Sequence, residues 1–204
     1  MVAPRGNSAR GDRRRRQILE AALAVIREEA VADVQLAAIA ARAGVRPSHV
    51  LYYFGSRDEV LIAAVAHAEQ ELAADRRERL LEIGDGADRL AAYVVAYLPD
   101  DRHDPVWKLW VEGWLRSPSR PQFAVVGREA DAGWRSDLEA CLEHVAAHGG
   151  TLPGPAPAFA RRFMYFLDGL AIHVLAGHVT PAGAASHAAA SLRSEVAGLK
   201  RARR

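Results

Sequence analysis

A single cysteine, Cys141, stands in 204 residues. That excludes a disulfide framework and any cysteine-built zinc site, and it makes a reducing, cytoplasmic compartment the expected home. No apolar run approaches the roughly 20 residues of a membrane span, so no membrane partner is expected. The arginine-rich N-terminus leads into an amphipathic pattern rather than the apolar core of a signal peptide. Strand patterning is scarce too, since Val and Ile seldom alternate with polar residues. What remains is an ordinary globular balance of 50% hydrophobic and 25% charged residues, long enough to bury roughly 70% of the unfolded surface without a covalent staple.

The net charge of +2 conceals an uneven distribution. Residues 1–60 carry ten Arg against seven acids, residues 61–199 carry thirteen basic residues against eighteen acids, and the tail 200–204 adds four cations. A basic first quarter on an acidic body implies that one end meets a polyanion while the rest does something else.

Ala, Leu, Arg and Glu dominate, and Gly and Pro gather at breakpoints, so the fold class is all-α. Residues 1–12, with Pro4, Gly6 and Gly11, are expected to be a disordered basic arm. Helices are then predicted at about 13–29, 36–43 and from 47, followed by a long one at 56–83 opened by the capping box Ser56 and Glu59. Further helices are predicted at 87–98, 105–117, 121–148, 157–176 and 181–199. The expected organisation is a DNA-binding unit at 13–60, a ligand-binding and dimerising body at 61–199, and a basic tail at 200–204.

Residues 36–54 form a short apolar-faced helix, a turn at Gly44 and a second short helix, the arrangement of a helix-turn-helix. Val45 and Val50 would anchor the second helix, leaving Arg46, Pro47, Ser48, His49, Tyr52 and Tyr53 for bases and phosphates of double-stranded DNA. A plain helical hairpin with a tyrosine core satisfies the same periodicity. The motifs Ile18-Leu19-Glu20-Ala21-Ala22, Ile39-Ala40-Ala41-Arg42-Ala43-Gly44-Val45, Tyr52-Tyr53-Phe54 and Ser56-Arg57-Asp58-Glu59-Val60-Leu61 decide between them. Residues 13–64 resemble the N-terminal domain of the TetR family of transcriptional regulators. The resemblance implies a phosphate contact by Arg57 at a helix N-terminus and another near Gln35. Arg5, Arg10, Arg13, Arg14, Arg15 and Arg16 read as a flexible cationic arm for phosphate or minor-groove contact, with a solubility tail as the alternative. Three residues depart from the family pattern. Ala30 replaces a Gly, Gln35 a hydroxyl residue that Asp33 would have to relieve as cap, and Leu51 a Tyr.

The resemblance further implies a homodimer that reads a palindromic operator through paired recognition helices, pairing through its last two long helices. One stripe there is Phe159, Phe163, Phe166, Leu167, Leu170 and Val174; the other is Ala184, Ala185, Ala188, Ala189, Leu192, Val196 and Leu199, and intramolecular core is the alternative for both. Trp107, Trp110 and Trp114 share one helical face, with Trp134 on the next long helix, so an apolar or aromatic effector is expected there. Phe163 and Phe166 would add to its walls, and His173, Tyr165 and Asp168 would orient it. A cationic aromatic ligand is allowed through cation–π contact with these tryptophans and the nearby Glu112. Core packing is the ordinary alternative for such a stripe. No cofactor, metal or catalytic group is expected: His144 and His148 lack a third ligand and a general base between them, and Gly84-Asp85-Gly86 is no phosphate loop. The expected function is therefore a ligand-released repressor, against the alternative of an all-helical enzyme or interaction bundle that carries a helix-turn-helix.

Overall fold

The computed structural model describes residues 9–199; Arg5 of the basic arm and the tail 200–204 lie outside them. Among the described residues the chain forms nine helices: α1 (Ala9–Glu28), α2 (Leu36–Arg42), α3 (Pro47–Phe54), α4 (Arg57–Glu82), α5 (Gly86–Tyr97), α6 (Pro105–Arg116), α7 (Pro121–Ala147), α8 (Ala156–Leu175) and α9 (Pro181–Glu195). Side chains satisfy the orphan amides at several N-termini: Ser56 accepts from the Glu59 amide, Asp85 from Ala87 and Asp88, Asp104 from Val106 and Trp107, and Thr180 from Gly183. Gly44 stops α2 at a φ of +61°, a conformation that other residues adopt at a cost.

Two ends differ from the sequence expectation. The first helix starts at Ala9 rather than near 13, because Arg is a good helix former and Asp12 sits in the positive first turn; Arg10 and Arg13 to Arg16 are therefore helical, not a flexible arm. The last helix stops at Glu195 rather than 199. Val196 turns extended, and Ala197 exchanges both backbone hydrogen bonds with Thr151, at 2.9 and 3.0 Å, in an isolated antiparallel bridge.

Apolar residues collect in two cores. The first joins α1, α2 and α3 to the opening turns of α4 (Val60, Leu61, Ala64, Val65) and takes Leu109 from α6. The second joins α5, α7, α8 and α9 with Trp107 and with Leu80 of α4. The expected boundary at 60–61 thus falls inside one continuous helix that serves both cores, a rod of about 40 Å at 1.5 Å per residue. Phe159, Phe163, Leu167 and Val174 of α8, and Ala184, Ala188 and Leu192 of α9, are all buried within the chain. The stripes expected to pair with a second copy are therefore intramolecular core, because α5 and α7 need the same apolar cover. Of the α8 stripe Phe166 is the exception: it turns outward, beside Tyr165 and Ile172.

Candidate functional site

At the end expected to face DNA, α3 buries Val50 and Phe54 and exposes Pro47, Ser48, His49, Leu51 and Tyr52. Arg46, at the helix start, is also exposed. Tyr52 is the most outward aromatic at 72% exposure; Tyr53 is half-buried against the first core, edge-on to Tyr52 with ring centroids 5.4 Å apart. Tyr53 thus supports the exposed ring more than it presents its own. Arg15 lies 4.4 Å over the Phe54 ring and donates to the Tyr53 carbonyl, while Gln17 donates to the Ala43 carbonyl at 2.9 Å, so α1 clamps the turn and the end of α3. The departures are absorbed locally. Ala30 needs no left-handed backbone, since no described non-glycine residue has positive φ. Gln35 opens α2 without a side-chain cap and donates to the Asp33 carbonyl, so neither it nor Asp33 replaces the missing hydroxyl.

Arg57 departs further from expectation. Its Nε donates to the Val34 carbonyl at 2.7 Å and its Nη2 to the Val31 carbonyl, while Nη1 lies 3.6 Å from Asp58. The guanidinium straps the start of α4 to the loop before α2, and these contacts compete with the expected phosphate role.

In the body, Trp107, Trp110, Trp114 and Trp134 converge on one cavity of about 500 Å³ together with Tyr97. Phe163, Phe166 and His173 do not line it. Phe163 stacks on Phe159 in the core, Phe166 faces outward, and His173 sits exposed at the end of α8 with its Nδ1 3.1 Å from that of His178. Exposed Tyr165 is absent as well, and Glu112 pairs with Arg116 instead. The face of α8 that reaches the cavity carries Met164 and Asp168, one helical turn apart.

Apart from Asp168, the carboxylates are what the sequence did not announce. Among the described lining residues stand Glu69, Glu71, Asp75, Asp100, Asp104, Asp131 and Asp168, against Arg27 as the single cation. Glu69 is buried on α4, and its two oxygens each accept an indole N–H, from Trp110 at 2.8 Å and Trp134 at 3.0 Å. Burial raises its pKa, opposed by those two bonds and by Arg76. Asp104, buried as the cap of α6, and Asp168, which accepts from the Tyr97 hydroxyl at 2.6 Å, are raised for the same first cause. Behind the cavity, Arg76 lies 3.5 Å over the Trp134 ring and is paired at 2.7 Å with buried Asp137. A signal for Glu69 existed in the sequence, because it continues the apolar stripe of Leu61, Ala64, Val65 and Ala68 as a charge in a core position.

Helix α6 ties this cavity to the DNA-facing end. Lys108, between Trp107 and Trp110, donates to the carbonyls of Ile26, Arg27 and Glu29 at 2.7, 3.2 and 3.1 Å, closing the C-terminus of α1. Arg116 grips Asp58, at the start of α4, with two bonds of 2.9 Å. Elsewhere the rings of His144 and His148 lie 4.1 Å apart with nitrogens on the Gly84 and His144 carbonyls, and no described cluster of three His, Cys, Asp or Glu is arranged to hold a metal ion. Cys141 is buried, which pushes its thiol up to about 11. No helix among the described residues is long and apolar enough to cross a membrane.

Comparison with known proteins bears on both ends. Residues 18–64 match the model of bacterial regulatory proteins of the tetR family, and residues 86–197 match that of the BetI-type transcriptional repressor C-terminal domain. The chain is 34% identical over 113 residues to the HTH-type transcriptional regulator BetI of Paraburkholderia xenovorans, covering 54% of this chain and 57% of that one. It is 30% identical over 147 residues to the protein of that name from Cronobacter sakazakii, covering 67% and 73%. In fold it is similar to a transcriptional regulator from Saccharomonospora viridis in complex with choline, with a TM-score of 0.77, 24% identity and coverage of 90% and 95%. A TetR transcription regulator from Haloarcula marismortui is similar too, with a TM-score of 0.78, 20% identity and coverage of 91% and 99%.

Proposed function

Because the chain belongs to the TetR family of bacterial regulatory proteins, with a C-terminal half of the BetI repressor type, we propose that it is a DNA-binding repressor released from its operator by a small organic cation. The observation that carries the effector class is the cavity wall: five aromatic rings and seven carboxylates around about 500 Å³. A quaternary ammonium has no N–H to satisfy and is attracted by ring faces, while nearby carboxylates supply the counter-charge. The sequence reading favours an apolar or aromatic molecule; the acids now on the wall favour charge as well. The choline held by the Saccharomonospora regulator supports the same class.

Release follows from the two helices that meet at the site. A cation drawn toward Glu69 pulls on α4 and, through the indoles of Trp107 and Trp110, on α6. Lys108 and Arg116 carry that displacement to α1 and to the start of α4, which set the attitude of α3. The ligand must favour the DNA-incompetent state: moving the population from 1:99 to 99:1 takes a differential of about 5.5 kcal/mol. A second copy of the chain would dock on the outward face of α8, around Tyr165, Phe166 and Ile172, and the pair would read a palindromic site with His49, Tyr52 and Arg46 of each α3.

Titration of choline against intrinsic tryptophan fluorescence, beside its uncharged carbon isostere 3,3-dimethylbutanol, tests the effector class. The expected result is saturable binding of choline and binding about thirtyfold weaker for the isostere, the worth of a desolvated cation–π contact near 2 kcal/mol. Equal affinities would overturn the cationic reading.

A further inference from the structure

A second cavity of about 280 Å³ adjoins the first, between α4, α6 and α7. Its walls are Ile62 and Val65 of α4, Leu109 and Gly113 of α6, and Phe123 and Val126 of α7, with polar groups confined to Ser117, Arg128 and Asp131. The two cavities share Trp110, Trp114, Gly127 and Asp131, so they meet across a pair of indoles rather than across a helix. Trp110 is fixed in that divide by its bond to Glu69, and Trp114 stands 42% exposed beside it.

Two helix-interior glycines keep the space. A Cβ at Gly127 would lie 3.5 Å from the Trp110 ring, and one at Gly113 would lie 3.4 Å from the Phe123 ring, so anything larger than a methyl group would grow into the chamber. Neither has the positive φ that would require glycine, yet each costs about 1 kcal/mol of helix propensity relative to Ala.

We propose that the site takes organic cations bearing an apolar tail, such as aryl- or medium alkyl-trimethylammonium ions, with the head in the acidic aromatic chamber and the tail in the second. This rests on the cationic reading of the first chamber. Size agrees: an apolar cavity of roughly 150 Å³ already holds a benzene ring, so about 280 Å³ accommodates a phenyl group or a six-carbon chain. The tail would lie against Val65 and Leu109, which belong to the core of the DNA-binding end, so tail and head act on the same two helices.

The test is calorimetric titration of the full chain with tetramethylammonium and with butyl-, hexyl- and benzyltrimethylammonium. Affinity is expected to rise by about fourfold per buried methylene along the alkyl series. Ala124→Phe, which fills the second chamber from α7, is expected to leave tetramethylammonium binding unchanged and to remove the gain from the tail. A flat series in the unsubstituted protein, with tetramethylammonium binding intact, overturns the second chamber and leaves the cationic reading standing. Equal weakening of every ligand by Ala124→Phe overturns the second chamber as well. If none of these ions binds, both readings fall. The alkyl series is measured on the unsubstituted protein, so its outcome does not depend on whether Ala124→Phe folds.

Discussion

Glu69 concentrates the chemistry of the cavity in one side chain. Its carboxylate is desolvated, held by two indoles and aimed where a cation would sit. Folding raises its pKa, so the neutral form is favoured in the fold; stability is full below the ordinary carboxylate value and is lost as pH rises through the raised one. A bound cation works the other way by favouring the ionised form. Choline affinity is therefore expected to fall as pH drops through a midpoint above the ordinary carboxylate range, with proton release on binding at that pH, measurable by calorimetry in buffers of different ionisation enthalpy. Glu69→Gln removes a counter-charge and is expected to cost about 1 to 4 kcal/mol of choline affinity and to abolish that pH dependence. Unchanged affinity would remove Glu69 from the site. The four tryptophans were legible because helical spacing put three on one face. Apart from Asp168 the acids were not, since they come from α4, α7 and the loop between α5 and α6, and only the packing gathers them. Phe163 and His173 were misread for the same reason: the period gives a face but not which neighbour covers it.

Helix α6 carries three of the tryptophans and the cations that touch the DNA-binding end. Lys108 stands where three carbonyls at the end of α1 converge, and burial followed by Arg27 lowers its pKa. Lys108→Met keeps the aliphatic stem and removes the cap, worth about 1 to 2 kcal/mol at a partly buried helix C-terminus. The expected outcome is choline affinity close to the unsubstituted value with operator release shifted to higher choline concentration, read by fluorescence and gel shift on one sample. Full retention of release would show that α4 alone transmits. Most element ends were legible because Pro or a capping residue marks them, as at Asp104-Pro105 and Ser56. The two misplaced ends have causes that a local pattern does not carry. Arginines near the start continue α1, and the end of α9 is set by a backbone bridge to Thr151, across the α7–α8 loop.

One chain presents one recognition helix, and a palindromic operator needs two. The outward face of α8 is the proposed seat of the second copy, so Tyr165→Glu together with Ile172→Glu is expected to yield a folded monomer by light scattering, with operator affinity lowered by at least about a hundredfold and choline binding retained. A dimer that survives both substitutions would move the interface elsewhere. The measurement that bears most directly on a repressor released by an organic cation is a gel shift of the full chain on its own upstream DNA, against random duplex of equal length, with and without saturating choline. Preferential binding of the upstream sequence is predicted, with loss of that complex, but not of residual random binding, when choline is added. Equal affinity for both duplexes, or an operator complex indifferent to choline and to benzyltrimethylammonium alike, would contradict it.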